Sequence, residues 1–415
     1  MGEQRWSDRS SSAAPFGPPG RPLSLSGPLE EIDRWEWYAG AAGENGDLRT
    51  GLASFLATHG LAQPYPQTAL SDGSRQPVDG RGVGLLLGAF ACGVLAGWAG
   101  GAPSPVPDVP DAVAVAYRAG PNTDPDPTVP TDRSGEVTTG EWRTTWSDDE
   151  HALAVETVRE AIARGELYQA NVVGHRSARH RCRPADVARA AAGVPGAAYA
   201  GVLLGEGWAV GSASPEQLVR VEGRRVTTVP IKGTRVVAPG SDDELRASAK
   251  DRAEHIMIVD LERNDLSRIA RTGSVVVERL YDVERWAGLW HAGSVVAAEL
   301  LDGVSPLDVL AALAPGGSVT GAPKRAACAL LADLEPVGRG PSMGAFGFLW
   351  PGGMDLGLSI RTVAVDEDRV HLWAGGGITW GSDAAQEVEE AHAKADPIML
   401  RLGRRWSGSR LGPAV

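Results

Sequence analysis

The sequence predicts an α+β protein with mainly antiparallel sheets. Helical and strand-like stretches come in blocks, without the regular βαβ alternation that a parallel sheet requires. The 415 residues are 43% hydrophobic, which is enough for a large core in one big domain or two medium ones. The 53 glycines and 29 prolines indicate many turns between short elements.

The N-terminal third is predicted to hold a disordered segment and a sheet-bearing subdomain. Residues 1–28 are rich in Ser, Pro and Gly, a composition typical of disorder. Residues 29–140 form the subdomain, because their apolar runs are interrupted by glycines. Within it, residues 103–135 contain many Pro and Asp, which indicates a surface loop around one strand, "AVAVAY".

One stretch bears on membrane insertion. Residues 83–102, "VGLLLGAFACGVLAGWAGGA", are uncharged and close to membrane-spanning length. Their many glycines favour buried strands and a turn, with a membrane helix as the alternative. The N-terminus lacks the apolar core of a secretory signal, so we expect a protein without membrane association.

The remaining elements follow in order. "SDDEHALAVETVREAI" begins with a Ser/Asp cap and repeats apolar residues at helical spacing through Ile162. One long helix is predicted over residues 241–270, with an apolar stripe of Ile256, Val259, Leu266 and Ile269. Short strands, two further helices and a last helix complete the chain: strands "AYAGVLLG", "WAVGSAS", "QLVRVEG" and "RRVTTVPI"; helices "SPLDVLAAL" and "APKRAACALLADL"; strands "MGAFGFLW", "LGLSIRTVAV" and "RVHLWAGGGI"; helix "SDAAQEVEEAHAKADPIMLRLG".

Charge and cysteine content restrict the partners and the compartment. The net charge is −12 and no long Lys/Arg run occurs, so nucleic-acid binding has no electrostatic support. An anionic small molecule would need a local cation, supplied by lysine, arginine or a metal held by carboxylates. The three cysteines include no CxxC pair, which argues against a disulfide framework or a zinc site and favours the reducing cytoplasm.

Carboxylates near two helices are candidate metal ligands. Glu387, Glu390 and Lys394 share one face of the last helix, and their alternative role is a solvated charged face. Glu254 lies beside the apolar stripe of the long helix, where a carboxylate is unusual unless it is paired or binds a metal. Asp251, one turn earlier, could support such a site. Three glutamates from two helices would suit Mg²⁺.

Three more residues are candidates for catalysis. Lys232, in "PIKGTR", follows a strand, and a partly desolvated lysine there could be a nucleophile or base, although most such lysines are simply exposed. Glu216, at a Ser-Pro turn, could be a general acid or could cap that turn. His291 stands in an apolar run, where most histidines are ordinary core residues.

Eight stretches in a fixed order carry a family resemblance that covers about residues 148–402. They are "GELYQANVV", "SASPEQLV", "PIKGTR", "DRAEHIMIVDLERNDLSRIA", "HAGSVV", "PGGSVTGAPKRAA", "SIRTVAV" and "GGGITWGSDAAQEVEEAHAK". Together they resemble the chorismate-utilising enzymes, which include anthranilate synthase component I, aminodeoxychorismate synthase component I and the isochorismate and salicylate synthases. The resemblance implies two packed antiparallel sheets flanked by helices, with a chorismate-binding catalytic domain over residues 145–405.

The resemblance also assigns binding residues. In the family, Mg²⁺ held by glutamates binds the ring carboxylate of chorismate, and an arginine pairs with the other carboxylate. A glycine-threonine pair and two glycines line the substrate site, and a lysine lies near the metal. The matching residues here are Glu254, Glu387 and Glu390 for the metal, and Arg361, Gly233, Thr234, Gly375, Gly377 and Lys394 for the substrate.

The catalytic residues implied by the resemblance are Lys232, Glu216 and His291. Glu216 matches the acid that protonates the departing C4 hydroxyl, and His291 matches a histidine close to the ring. Members that make anthranilate tend to carry alanine at the position of Lys232, whereas makers of 4-amino-4-deoxychorismate carry lysine as a covalent nucleophile. The likeness therefore implies aminodeoxychorismate synthase activity, in folate, p-aminobenzoate or antibiotic biosynthesis.

Several alternatives stay open. An anthranilate or 2-amino-2-deoxyisochorismate synthase component I is the enzymatic alternative, and a non-catalytic chorismate-binding paralogue is another. Ser342 stands where the family usually has a tyrosine, which puts substrate affinity in question. "FACGVLAG" around Cys92 does not fit a glutaminase elbow, so we expect a separate glutaminase subunit to supply ammonia.

Overall fold

The structure, a computed structural model, describes residues 29–39, 47–65, 81–98, 101–119, 137–286 and 289–403. The predicted disordered segment 1–28 lies outside these residues, as do residues 120–136 of the Pro/Asp-rich loop. The described chain has the predicted α+β fold, with two antiparallel sheets flanked by helices.

The first sheet has ten strands drawn from both ends of the chain. In order across the sheet they are β1 (Leu29–Trp37), β3 (Ala112–Ala119), β2 (Arg81–Leu87), β14 (Ala345–Trp350), β15 (Gly353–Leu358), β8 (Gln217–Glu222), β9 (Arg225–Val229), β12 (Leu289–Glu299) and β10 (Ile231–Val236), with β11 (Val276–Trp286) also paired to β12. Because β2 pairs with β14, the N-terminal strands and the C-terminal half share one sheet.

The second sheet has seven strands, all from the C-terminal two thirds. In order they are β13 (Gly321–Ala322), β5 (Gln169–Arg179), β17 (Arg369–Ile378), β16 (Thr362–Val365), β7 (Ala209–Ser214) and β6 (Tyr199–Leu204), with β4 (Arg143–Thr144) also paired to β5. The long pairing of β17 with β5 runs through three consecutive glycines, which become part of the candidate site.

Nine α-helices and one 3₁₀ turn are assigned in the described residues. They are α1 (Leu48–Thr58), α2 (Ala89–Leu95), α3 (Asp148–Ala163), α4 (Pro184–Ala192), α5 (Ser241–Ala247), α6 (Ala249–Ser267), α7 (Pro306–Leu313), α8 (Lys324–Leu334) and α9 (Ala384–Arg401), with the turn η1 at Gly317–Val319. Helix α9 packs on β17 and α3, while α6 packs against β10 and β12. Ser147 and Glu150 form the predicted capping box of α3.

The main core lies between the two sheets. Buried side chains of the first sheet, such as Leu85 and Val219, belong to the same apolar cluster as Val173 and Val210 of the second. A smaller cluster covers the outer face of the second sheet beneath α4 and α9. Because both faces of this sheet are covered, β5 is buried along nearly its whole length even though many of its residues are polar.

The stretch 83–102 differs from its predicted form. Its first part is strand β2, as expected, but the second part is helix α2 and not a second strand. Ala91, Cys92 and Leu95 form the buried face of that helix. Across the described ranges, no helix combines the length and the apolar character needed to cross a membrane.

The prediction of one long helix over residues 241–270 is wrong, because the helix is interrupted at Ser248. This residue ends α5 and caps α6, since its side chain accepts a hydrogen bond from the backbone N–H of Asp251. The predicted stripe is also partly wrong. Ile256 is 41% exposed, and the buried face of α6 instead includes His255, Glu262 and Asp265.

The predicted strand "LGLSIRTVAV" is in fact two strands in different sheets. β15 ends at Leu358 in the first sheet, and β16 begins at Thr362 in the second. Arg361 has φ of +48°, in the left-handed region, where the chain passes from one sheet to the other. This crossing places Arg361 at the junction of the sheets.

Candidate active site

A backbone irregularity in β10 orients Lys232. The pairing of β10 with β12 shifts register between Ile231 and Thr234, as at a β-bulge. Gly233 within this bulge has φ of +86°, which favours glycine. The Lys232 side chain is 21% exposed, and its Nζ lies 3.2 Å from Oε2 of Glu254 on α6. The amine therefore faces a cleft between β10, α6 and β17.

The glycines of β17 form the wall opposite this amine. A Cβ placed on Gly377 would stand 3.0 Å from Nζ of Lys232, and one on Gly376 would stand 2.8 Å from Oε2 of Glu387. On Gly375, a Cβ would clash at 1.9 Å with the carbonyl oxygen of Val172 on β5. A side chain at Gly377 would fill the space beside Lys232, so this glycine keeps it open.

The three predicted metal ligands line this cleft. Glu254 accepts a hydrogen bond from Oγ1 of Thr379 at 3.1 Å, besides its contact with Lys232. Glu387 is buried, and its pKa is raised by that burial and by the charge of Glu390, while Ser382, Lys232 and Lys250 oppose the rise. A bound cation would relieve the repulsion between Glu387 and Glu390.

Two of the three carboxylates form ion pairs with lysines. Lys232 pairs with Glu254, and Lys394 pairs with Glu390 at 2.6 Å while donating to the carbonyl oxygen of Gly375 at 2.9 Å. In the described ranges, no group of three or more His, Cys, Asp or Glu residues is arranged to hold a metal ion. The carboxylates suit Mg²⁺ as oxygen donors, but a metal would require the lysine contacts to rearrange.

Glu216 lies in a buried position between β7 and β8. Ser318 Oγ of η1 donates to its Oε1 at 2.9 Å. Burial raises the pKa of Glu216 to about 7, although Ser318, the backbone N–H of Ile231 and the charge of Lys232 oppose the rise. A carboxylic acid that keeps its proton near neutral pH is suited to general-acid chemistry.

Arg361 and His291 extend the site toward the first sheet. Burial lowers the pKa of Arg361, and the charge of Glu216 opposes that effect. His291 is buried on β12, and its pKa falls to about 4 because of burial and the nearby Arg361 cation. His291 is therefore neutral near pH 7. Its ring could donate or accept a hydrogen bond but would not act as a cation.

Three other residues from the sequence analysis lie as follows. Thr234 pairs with His291 in the β10–β12 ladder, and its side chain lies outside the described part. Ser342 is fully buried and donates to the carbonyl oxygen of Ser359 at 3.1 Å. Asp251 accepts a hydrogen bond from Arg235 at 2.7 Å.

Residue-by-residue reasoning missed several groups in the cleft. Gln169 on β5 is almost fully buried, its Nε2 is 2.9 Å from the position of a Cβ on Gly377, and its Oε1 has no hydrogen-bond partner among the described atoms. Ser318, Thr379 and Lys250 were also missed. Gln169 had a visible signal, since it is a polar residue within "GELYQANVV", one of the eight stretches that carry the family resemblance. The other three become recognisable only once the elements are assembled.

Comparison with known proteins decides the family. The sequence matches the family described as chorismate binding enzyme over residues 110–400, well over half of the chain. The chain belongs to the chorismate-binding enzyme family. The membership predicted from the eight motifs is thus confirmed.

Relatives with assigned names are similar over part of their length. The chain is 39% identical over 271 residues to anthranilate synthase component 1 of Streptomyces coelicolor, covering 63% of this chain and 53% of that protein. It is 38% identical over 292 residues to the protein of the same name from Thermus thermophilus, covering 68% and 63%. It is also 35% identical over 271 residues to aminodeoxychorismate synthase component 1 of Klebsiella aerogenes, covering 64% and 60%.

A solved structure supports the fold. Anthranilate synthase component I from Streptococcus pneumoniae TIGR4 superposes with a TM-score of 0.72 at 23% identity, covering 96% of this chain and 95% of that one. At that level of identity the likeness establishes the architecture of two packed sheets. The choice among chorismate reactions depends on the cleft residues.

Proposed function

We propose that this protein aminates chorismate at C4 to give 4-amino-4-deoxychorismate, through a covalent adduct on Lys232. The observation that carries the proposal is the position of the Lys232 amine. It faces the open space beside Gly377 and lies 3.2 Å from Glu254, rather than extending into solvent. An amine fixed in that space can attack a ring carbon of a substrate bound there.

The chemistry requires an acid, which Glu216 supplies in this proposal. The Lys232 nitrogen forms a bond to C2 while the ring double bonds shift and the C4 hydroxyl leaves, and Glu216 protonates that hydroxyl so that it departs as water. Ammonia then bonds to C4, the C2–N bond to Lys232 breaks and releases the amine, and the proton lost from the new nitrogen at C4 returns to Glu216. The raised pKa of Glu216 supports this role, because the acid must still hold a proton near neutral pH.

Substrate binding is assigned to cations on both sides of the ring. Arg361 would pair with one carboxylate, and its planar guanidinium suits a bidentate contact. Glu254, Glu387 and Glu390 would hold Mg²⁺, which supplies a positive field for the ring carboxylate when bound. His291 would lie close to the ring as a neutral hydrogen-bonding group, and Gly233, Thr234 and Lys394 would complete the site.

Anthranilate formation is the second candidate, since the named relatives include several anthranilate synthases at 36–39% identity. That reaction would add ammonia at C2, where the Lys232 adduct would otherwise form. The aminodeoxychorismate synthase relative is 35% identical, so the identity values do not separate the two activities. The lysine in the cleft is the reason for preferring amination at C4.

Product analysis separates these candidates. The protein is incubated with chorismate, Mg²⁺ and an ammonium salt, and the products are identified by mass spectrometry and NMR. We expect 4-amino-4-deoxychorismate. Anthranilate or 2-amino-2-deoxyisochorismate would refute C4 amination, and binding of chorismate without consumption would favour a non-catalytic paralogue. Turnover with ammonium but not with glutamine would support a separate glutaminase subunit.

The covalent step is tested directly at Lys232. Incubation with chorismate and Mg²⁺ in the absence of ammonia should add mass to the protein, and peptide mapping should place it on Lys232. Lys232→Ala should lose the adduct and lower C4 amination by about 10³-fold or more, the scale expected for loss of a nucleophile. Lys250→Ala removes a nearby exposed lysine of α6 and should retain the adduct. Full C4 amination by Lys232→Ala would rule out the covalent route.

Metal binding is tested without turnover. We expect Mg²⁺ to bind with measurable heat in calorimetry and Mn²⁺ to give an altered electron paramagnetic resonance spectrum on binding. Glu387→Gln should weaken both signals by at least about tenfold, since it removes one anionic oxygen ligand. Glu389→Gln, an exposed carboxylate on the same helix, is the matched control. Equal affinity in the two variants would refute the metal assignment.

A further inference from the structure

A second carboxylate, Glu262, lies deep beneath the proposed general acid. Glu262 belongs to the buried face of α6 and is only 3% exposed. One of its oxygens accepts a hydrogen bond from the backbone N–H of Gly317 at 3.3 Å, and the other accepts from Oγ1 of Thr228 at 3.4 Å. The chemistry proposed above does not use this carboxylate.

The two segments that Glu262 joins are those that hold Glu216. Gly317 is followed by Ser318, whose hydroxyl donates to Glu216 at 2.9 Å. Thr228, at the end of β9, is three residues before Ile231, whose backbone N–H also donates to Glu216. Glu262 thus binds η1 on one side and β9 on the other, one residue from Ser318 and three residues from Ile231, which are polar contacts of Glu216.

Charges around the two carboxylates come from every neighbouring element. Lys324 of α8 forms a buried ion pair with Asp265, one turn along α6 from Glu262, and lies close enough to influence Glu262. Glu216 is influenced by Lys232 of β10 and by Glu262, and it influences Arg361 in turn. Burial raises the pKa of Glu262 to about 7, with Lys324 opposing and Asp265 adding to the rise.

Purely structural packing does not account for Glu262. A third carboxylate beside an ion pair that already balances its own charges costs free energy when buried, and an apolar residue would fill the space at lower cost. Its charge adds to the effect of burial on the pKa of Glu216, because a nearby negative charge favours retention of a proton. The residue is therefore placed where it changes both the position and the protonation of Glu216.

We propose that Glu262 is a positioning residue for Glu216: it ties together the two segments that hold Glu216 and places a second acidic group close to it. The proposal rests on the assignment of Glu216 as the general acid. It predicts that the charge of Glu262 and its two hydrogen bonds make separable contributions, since glutamine can keep the hydrogen bonds while it loses the charge.

Titration of Glu216 in the resting protein tests the charge effect without turnover. Protonated carboxyl groups are followed by infrared spectroscopy across the pH range, and Glu216→Gln identifies the signal of Glu216. In Glu262→Gln, the pH at which Glu216 loses its proton should fall by roughly half to one unit. Asp260→Asn, an exposed carboxylate of the same helix paired with Arg263, is the matched control and should leave the Glu216 signal in place.

Activity measurements test the positioning effect. Glu262→Gln should keep near-normal consumption of chorismate at pH 6 and lose it as the pH rises, whereas Glu262→Leu, which also loses both hydrogen bonds, should be about tenfold or more slower at every pH. An unchanged Glu216 titration in Glu262→Gln would overturn the proposal. If instead Glu216→Gln consumed chorismate normally, the general-acid assignment would fail, while the infrared shift would still report on Glu262.

Discussion

At the scale of single residues, the candidate site depends on the orientation of Lys232, which the neighbouring Gly233 helps to set. Lys232 is the second residue of β10 and precedes Gly233, whose positive φ lies within the register shift of that strand. A regular strand would alternate side chains between faces, so the bulge decides which way the amine points. The orientation of a proposed nucleophile is therefore a property of backbone geometry one residue away.

Gly233→Ala tests this dependence. The substitution places a Cβ 2.9 Å from Cδ1 of Leu245 and forces a non-glycine residue to φ of +86°, so we expect a loss of about 1–3 kcal/mol in the free energy of unfolding. Chorismate consumption should fall as well, because Lys232 would be turned away. Gly240→Ala is the control, since its φ of +82° is similar but no atom lies within 4 Å of its Cβ position.

Chemical denaturation of both variants supplies the measurement. The Gly240 variant should lose only the backbone contribution, about 1 kcal/mol, and should keep its activity. Equal destabilisation and equal activity of the two variants would show that the close approach at Gly233 is not needed for the site.

At the scale of elements, helix α6 connects a proposed metal ligand to the proposed general acid. It carries Glu254 toward the cleft near its start and Glu262 beneath Glu216 two turns later. Because the helix begins at Ser248 rather than continuing from α5, its direction is set by a new cap and not by the preceding helix. A single rigid element thus sets the spacing between the two acidic groups.

Ser248→Ala removes the cap of this helix. The hydroxyl accepts from the backbone N–H of Asp251 at 3.2 Å, and its loss should cost about 0.5–2 kcal/mol in the free energy of unfolding. Ser248→Asp should restore the loss, since aspartate also caps helices. Ser267→Ala, at the last residue of α6, is the control. If the Ala and Asp variants proved equally unstable in urea unfolding, the cap would have no role in stability.

At the scale of the whole molecule, buried histidines make the stability of the fold depend on pH. Burial lowers the pKa of His175 to about 3, with the neighbouring His371, Arg176 and Arg369 adding to the effect. The pKa values of His151 and His255 fall to about 4, mainly by burial. These rings lie neutral in packed surroundings, and they titrate far more easily once the chain unfolds.

Acid should therefore destabilise the protein well above the pH at which these rings titrate when folded. Their folded pKa values lie below the ordinary value of 6.5, so the unfolded chain binds protons first as the pH falls. The free energy of unfolding should decline between about pH 6.5 and pH 4, by several kcal/mol in sum.

Urea unfolding at a series of pH values checks this expectation. His175→Gln should give a shallower decline of stability between pH 6.5 and pH 4 than the wild-type protein, because one ring that gains a proton on unfolding is gone. Parallel declines in the two proteins would show that His175 does not contribute to acid sensitivity.

Much of the fold could be predicted from local patterns. The cap at Ser147 and the apolar spacing behind it predict α3, and short apolar runs bounded by glycine predict β6 to β8. The failures have physical causes. The α5–α6 break occurs at Ser248, whose local cap on α6 lies within a stretch that otherwise has helical composition. The buried face of α6 carries His255 and Glu262, which no hydrophobic pattern would select.

The sequence by itself determined the family, the α+β class and the identity of the candidate site residues, because motif order and residue chemistry are written in the chain. Only the tertiary structure decided which groups meet. The pairing of Lys232 with Glu254, the sheet crossing at Arg361 and the contact of Ser318 with Glu216 join residues that are 22 or more positions apart or lie in different sheets. Burial and charge act through space, so neither the raised pKa of Glu216 nor the presence of Glu262 beneath it follows from spacing along the chain.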